Sequence, residues 1–376
     1  MSTPSIDTSD FSAGTTWVIK IGSSLLTKNG SGLALDLIES WVEQIVALHR
    51  AGIKVVIVSS GAVAEGMSRL NMTLRPSSIQ LLQAAAAVGQ MGLVQAYESQ
   101  FQKYGLHTAQ ILLTHEDLKS RERYINARGT LNSLLTLDVI PVVNENDTVV
   151  TDEIRFGDND SLAALVANLI DAETLLLLTD QDGLFDADPR SNPNATLITG
   201  SMVNNPDLLA MAGEGGELGR GGMITKLLAA KTAARSGANT VIANGMADNV
   251  IQQLQQGVVM GTLLLAGQET LVSRKQWLAA LQPKGTLTLD DGAVRVLKKE
   301  GRSLLPVGVK SVKGKFTRGE LVACIDVQGN HIAKGLINYS TEEATAICGC
   351  SSSEIKRILG YEGEQELIHR DNMVIV

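Results

Sequence analysis

Three cysteines in 376 residues cannot form a disulfide framework, so the chain reads as the product of a reducing compartment. Aromatic residues make up only 3%, so the core must come from Ala, Leu, Val and Ile, as in a sheet wrapped by helices rather than an aromatic-rich β-sandwich. No apolar run reaches 18 residues, which leaves no candidate for a membrane-spanning helix. The opening stretch Met1 to Asp10 has neither a basic n-region nor an apolar h-region, so the expected location is the cytoplasm. Neither G-x-x-x-x-G-K-[ST] nor G-x-G-x-x-G occurs, so any nucleotide must be held by a scheme other than the P-loop or the dinucleotide fold. The net charge of −8 argues against nucleic acid as the partner of the whole chain.

What is present is 44% hydrophobic and 19% charged, which excludes a disordered chain. Charge is uneven. Residues 283–376 hold 13 basic and 12 acidic side chains, which leaves 19 and 28 for residues 1–282. The shift falls at the Gln282-Pro283-Lys284-Gly285 punctuation, after an apparent helix around Trp277 to Leu281. The expected organisation is a tail over 1–15, a main domain over 16–270, a linker over 271–282 and a second domain over 283–376.

The first part alternates short apolar strands with helices. Strands are expected at Trp17–Ile21, Lys54–Val58, Ala109–Leu113, Val139–Val143, Thr174–Leu178 and Thr240–Ala243. Helices are expected over 35–51, 62–70, 77–104, 161–171 and 223–236. Almost wholly apolar strands imply a mainly parallel sheet covered on both faces, with ligands at the carboxyl ends of its strands. The second part has close turn signals and strands at Leu321–Val327 and His331–Ile337, which indicate a small β-rich domain.

Four stretches carry chemistry. Gly213 to Gly222 holds six glycines and runs into Met223-Ile-Thr-Lys226 and a helix, so free backbone amides and a helix N-terminus can meet a polyanion. Lys20 interrupts the apolar first strand, where a lysine needs an anionic partner. Two lysines converging from separate loops suit a transferring phosphoryl group. Asn144-Glu-Asn-Asp147 and Phe156-Gly-Asp-Asn-Asp-Ser161 supply amides and carboxylates for an ammonium and a carboxylate, and Asp158 to Ser161 also reads as a helix cap. The carboxylates between Asp180 and Asp188 are explained by turn chemistry, so no protein-held metal is expected there. The five histidines lack ligand spacing, and Cys348-Gly-Cys350 has no second pair to complete a zinc site. The nine basic and three acidic residues of 284–318 read as a solvated face.

The segments Val18-Ile-Lys-Ile-Gly-Ser-Ser24, Val58-Ser-Ser-Gly-Ala-Val63, Gln83-Ala-Ala-Ala-Ala-Val-Gly-Gln-Met-Gly92, Asn144-Glu-Asn-Asp147, Phe156 to Ser161, Leu178 to Leu184, Ala187 to Arg190 and Gly221-Gly-Met-Ile-Thr-Lys226 together resemble the amino acid kinase family. Leu304 to Val312, Ile358-Leu-Gly-Tyr361 and His369-Arg-Asp371 look like a PUA domain. The resemblance implies an open, mainly parallel sheet in an αβα sandwich, followed by a small β-rich PUA domain. It implies ATP-dependent phosphorylation of the γ-carboxylate of free L-glutamate, the first step of proline synthesis. Mg²⁺ would travel with ATP, proline would act as feedback inhibitor, and the chain would form a homo-oligomer, dimer or tetramer. Coupling to a glutamyl phosphate reductase also follows from it, and RNA is not an expected partner. By matching position, Ser60, Asp147 and Asn159 would hold glutamate. Lys20, Thr179, Asp180, Arg220, Gly221, Gly222, Met223, Ile224, Thr225 and Lys226 would hold ATP. Lys20 and Lys226 are the expected catalytic cations, with Asp160 orienting both. Arg220 departs from the family, which commonly has Thr there. Two alternatives are a kinase of acetylglutamate, disfavoured by the carboxylate offered to a free amine, and an RNA-binding protein, disfavoured by the acidic first domain.

Overall fold

The computed structural model describes residues 14–27, 32–150, 159–212, 222–267 and 282–375. The apparent helix at 277–281, Asp158, and Arg220 and Gly221 of the glycine loop lie outside the described residues. Contacts group the chain into two compact units, Met1–Glu116 with Arg128–Thr270, and Asp117–Ala127 with Leu271–Val376.

The first unit is built on eight strands: β1 (Thr16–Ile21), β2 (Lys54–Ser59), β3 (His107–Leu113), β4 (Val139–Glu145), β5 (Thr174–Thr179), β6 (Gly200–Met202), β7 (Asn239–Asn244) and β8 (Thr262–Leu265). Their order across the sheet is β3-β4-β2-β1-β5-β7-β8-β6. All pairs are parallel except β7 with β8, which run antiparallel. The sequence does not announce β6 or β8, because each is too short to show a period. β1 and β5 lie side by side in the centre, and every residue of β5 is buried, as strands covered on both faces require.

Alternation along β1 sorts the layers. Trp17, Ile19 and Ile21 join a core with Ile38, Trp41 and Ile45 of helix Leu35–Arg50 and Leu93, Tyr97 and Phe101 of helix Ile79–Gln102. Val18 and Lys20 point to the opposite face, where helices Asn159–Leu169 and Met223–Ala233 pack together. The indole of Trp41 donates to the Gly245 carbonyl at 2.8 Å, which pins the first of these layers to the loop after β7.

Helix Ala62–Arg69 and helix Ile79–Gln102 touch backbone to backbone. A Cβ on Gly66 would lie 1.7 Å from the Ala85 carbonyl oxygen, and one on Gly89 would lie 1.9 Å from that of Ala62. Only glycine fits either place. Gly61, at φ +96, turns the chain from β2 into helix Ala62–Arg69 in a conformation that other residues rarely adopt.

The second unit holds a five-stranded sheet ordered β10-β9-β11-β12-β13, from β9 (Gly285–Leu289), β10 (Val309–Gly314), β11 (Leu321–Ile325), β12 (His331–Leu336) and β13 (Met373–Ile375). Leu287, Val322, Ile332 and Tyr339 fill its core. Helix Asp291–Glu300 is capped by Asp290, whose side chain accepts from Ala293 N at 2.7 Å. The unit also takes in Ile125, which packs with Leu321 and Leu336.

Gly89→Ala is expected to lower unfolding stability by about 1–3 kcal/mol in urea titration, because the two helices must separate. Gly129→Ala, a helical site with nothing within 4 Å of the added carbon, is expected to be neutral or stabilising by up to about 1 kcal/mol.

Candidate active site

The carboxyl ends of the parallel strands converge on one buried carboxylate. Asp160 stands in the first turn of helix Asn159–Leu169, a favourable place for a negative charge, and is only 1% exposed. Its Oδ1 lies 2.6 Å from Lys20 Nζ on β1, and its Oδ2 lies 3.0 Å from Lys226 Nζ. Both lysines are buried as well. Thr225 Oγ1 sits between Asp160 Oδ2 at 3.0 Å and the Gly222 carbonyl at 2.8 Å, sharing its one hydrogen. Burial alone would raise the Asp160 carboxyl, but the Lys20 and Lys226 charges and hydrogen bonds overcome it and hold the group well below the usual carboxylate range. Two ammoniums and one carboxylate leave a net positive charge in a place screened from water.

A lysine in the first turn of helix Met223–Ala233 opposes the helix dipole. Asp160 answers that conflict and the burial of Lys20 together.

Beside this group lies a network of amides. Asn159 Nδ2 donates towards Asn144 Oδ1 at 2.8 Å, Ser60 Oγ at 3.0 Å and the Ser59 carbonyl at 3.0 Å. Asn144 Nδ2 in turn donates to Gln90 Oε1 at 2.7 Å. Ser59 Oγ is 3.2 Å from the hydroxyl of the wholly buried Tyr97. Asp147 follows shortly after β4, and its backbone carbonyl accepts from Gln83 Nε2 at 2.9 Å. Burial pushes the Asp147 carboxyl up to about 7, the Glu145 charge adds to the rise and Arg75 opposes it. Its Oδ1 is buried and has no hydrogen-bond partner among the described residues. A groove of about 610 Å³ runs past Asp147, lined by Ala87, Gln90, Met91, Val94 and Leu112 among others.

The structure therefore gathers Lys20, Asp160, Thr225 and Lys226 in one group and Ser60 and Asn159 in a second, joined through the adjacent residues Asn159 and Asp160. Thr179 and Asp180 close β5 and bond to each other at 3.1 Å. Gly222 is exposed and Met223 and Ile224 are half-buried at the start of their helix. In the acidic turn, Asp188 pairs with Arg190 at 2.9 Å and Asp182 accepts from Asn244 at 2.9 Å. Gln90 and Tyr97 enter the site unannounced by the sequence, whereas Asn144 opens the stretch Asn144-Glu-Asn-Asp147 that reads as a source of amides and carboxylates. Asn144 and Gln90 both fall in the motif segments, and a glutamine inside an alanine run was the available signal.

The family model of the amino acid kinase family matches residues 15–244, and that of the PUA domain matches residues 285–359. The chain belongs to the amino acid kinase family and carries a C-terminal PUA domain. It is 62% identical over 362 residues to a Hahella chejuensis protein named glutamate 5-kinase, covering 96% of this chain and 94% of that one. A Pseudomonas syringae pv. tomato protein of the same name is also 62% identical over 362 residues, covering 96% and 97%. Among solved structures, carbamate kinase from Giardia lamblia bound to AMP-PNP aligns with a TM-score of 0.48 at 18% identity, covering 67% of this chain and 99% of its own.

Asp160→Ala leaves two buried ammoniums facing one another, and a loss of about 3–5 kcal/mol in urea unfolding is expected. The two carboxyls act on stability with opposite sign. Asp160, held low, contributes stability that is present above its ordinary value of 3.8 and lost as pH falls through its folded value. Asp147, raised from 3.8 to about 7, contributes stability that is present below 3.8 and lost as pH rises towards 7. Asp147→Asn is therefore expected to gain on the wild type between about pH 5 and about pH 8, and a constant difference across that interval would refute the raised value.

Proposed function

We propose that this chain transfers the γ-phosphoryl group of ATP to the γ-carboxylate of L-glutamate, giving L-glutamyl 5-phosphate and ADP. The observation that carries the reading is the buried Asp160 bridging Lys20 and Lys226 at the carboxyl edge of the sheet. The choice of acceptor is supported by the relatives, whose name specifies glutamate.

The chemistry suits the site. A carboxylate is ionised at neutral pH, so a γ-carboxylate oxygen attacks phosphorus without a general base. The new O–P bond forms as the bond to the bridging oxygen of ADP breaks, and no proton moves. The barrier is repulsion between two anions. A lysine about 4 Å from the transferring group offsets about 4 kcal/mol at an effective dielectric of 20. In this reading Lys20 and Lys226 neutralise that group, and Asp160 fixes both amines. Asp160 stays ionised and takes no part as an acid, since its carboxyl is held low.

Ser60, Asp147 and Asn159 would hold glutamate, with the Asp147 carboxylate meeting its ammonium. Thr179, Asp180 and the stretch Arg220 to Lys226 would hold ATP. Mg²⁺ belongs to the reading as a companion of ATP, bound by its phosphates; among the described residues no three His, Cys, Asp or Glu side chains are grouped to hold an ion. Proline as feedback inhibitor, a homo-oligomer, transfer of the acyl phosphate to a reductase and a cytoplasmic setting complete the proposal. No helix among the described residues is long and apolar enough to cross a membrane.

Hydroxamate trapping with ATP, Mg²⁺ and a panel of acidic amino acids tests the reading. Glutamate is expected to outpace N-acetylglutamate by about tenfold or more, because acetylation removes the cation that Asp147 meets. Equal turnover of the two compounds would remove the assignment. Lys20→Ala and Lys226→Ala are each expected to lower turnover by about 10³ at saturating substrates.

A further inference from the structure

Helices Asn159–Leu169 and Met223–Ala233 run side by side in the same direction, and the pair is tied at both ends. At the leading end, Asp160 Oδ2 accepts from Lys226 Nζ at 3.0 Å and from Thr225 Oγ1 at 3.0 Å. At the trailing end, Asn168 Nδ2 donates to the Thr232 carbonyl at 3.0 Å. Ser236 Oγ, in the turn that follows the second helix, donates to Asn168 Oδ1, the nearer of its two acceptors. A carbonyl can only accept, so the Asn168 amide stands with its nitrogen towards Thr232 and its oxygen towards Ser236. Between the two ends the seam is alanine. Ala163, Ala164 and Ala167 fall on the stripe that joins Asp160 to Asn168, and Ala229, Ala230 and Ala233 fall on the stripe of Lys226. All six are at most 1% exposed. Alanine ridges are shallow, so they bring two helices close but resist a slide along the axis poorly.

The leading end fixes charge better than it fixes register. Lys226 reaches Asp160 on a flexible stem, so its amine can follow the carboxylate while its own backbone moves. Thr225 divides its one hydrogen between Asp160 and the Gly222 carbonyl of its own helix start. Asn168, by contrast, is short and grips backbone. We infer that Asn168, with Ser236 holding its amide in place, is a positioning residue that sets the axial register of helix Met223–Ala233 against helix Asn159–Leu169, and through it the place of the Lys226 and Gly222 backbone. The inference rests on the kinase reading and deepens it, because the residues given to ATP start one helix and Asn159, given to glutamate, starts the other. Asn168 stands about 12 Å beyond Asp160 along the helix axis, too far to touch a ligand held at Lys226.

The test uses the whole chain and substitutions at either end of this hold. Asn168→Ala removes the grip while favouring the helix itself, since alanine is the better helix former. It is expected to lower kcat about tenfold and raise KM for ATP about threefold, with KM for glutamate within about twofold. Ser236→Ala, which takes away one hydroxyl, should move the same constants in the same direction by a smaller factor. The double variant should be no more than about twofold worse than Asn168→Ala, because the two side chains form one hold. Val166→Ala opens a cavity at a wholly buried position of the same helix, off the alanine stripe. It should lower unfolding stability yet leave KM for ATP within about twofold, which separates register from general loosening. A folded Asn168→Ala with wild-type kcat and KM for ATP would overturn the inference, as would an equal rise in both KM values. If Asn168→Ala does not fold, Ser236→Ala decides by the same split. Calorimetric binding of ADP reads the register without turnover, and Asn168→Ala should weaken it about threefold. A wild-type chain that binds ADP but fails to phosphorylate glutamate would count against the proposed function alone, and the ADP series would then decide the register.

Discussion

A carboxylate withdrawn from water stays ionised only when opposite charge is held against it, and Asp160 is held from two sides. Strand β1 brings one lysine, helix Met223–Ala233 brings the other, and helix Asn159–Leu169 brings the carboxylate itself. Three elements distant in the chain are thus tied at two oxygen atoms. Such a group is a poor source of stability, since desolvating three charges offsets most of their attraction. In the proposed function its value lies in the positive charge that remains beside the carboxyl edge of the sheet, where it would meet the phosphates of ATP.

The neighbouring amides work by direction rather than charge. Asn159 follows the Ser59 carbonyl and Asn144 follows the Glu145 N–H, so the backbone of β2 and β4 sets the direction of both amides. Helix Ile79–Gln102 supports both strand tips, through Gln90 to β4 and Tyr97 to β2. Its position depends on two glycines that allow helix Ala62–Arg69 to approach without side chains between them. Charge and direction meet at the consecutive residues Asn159 and Asp160, so one helix start serves both.

Much of this is legible in the sequence, for stated reasons. Lys20 announces itself because a cation in an apolar strand needs an explanation, and the strands around it are apolar because both faces are covered. The pairing of Lys226 with Asp160 is expected from the family resemblance and from no local pattern, because 66 residues separate the two and only the packing of two helices brings them near. Gln90 escapes notice in an alanine-rich helix, where a glutamine looks like a solvent-facing residue until Asn144, 54 residues on, is seen against it. Strands β6 and β8 are hidden by their length, and the antiparallel turn of β8 is a matter of tertiary pairing that no local period records.

The central place of β1 bears on how the chain is made. Thr16–Ile21 leaves the ribosome well before one of its two sheet neighbours, Thr174–Thr179. At ordinary synthesis rates the delay is on the order of ten seconds. Through that interval the first strand has one open edge, and Lys20 stays in water because Asp160 has not yet been added to the chain. The core can close only after the second half of the sheet exists, so the nascent first half is a natural client for chaperones that shield exposed strand edges.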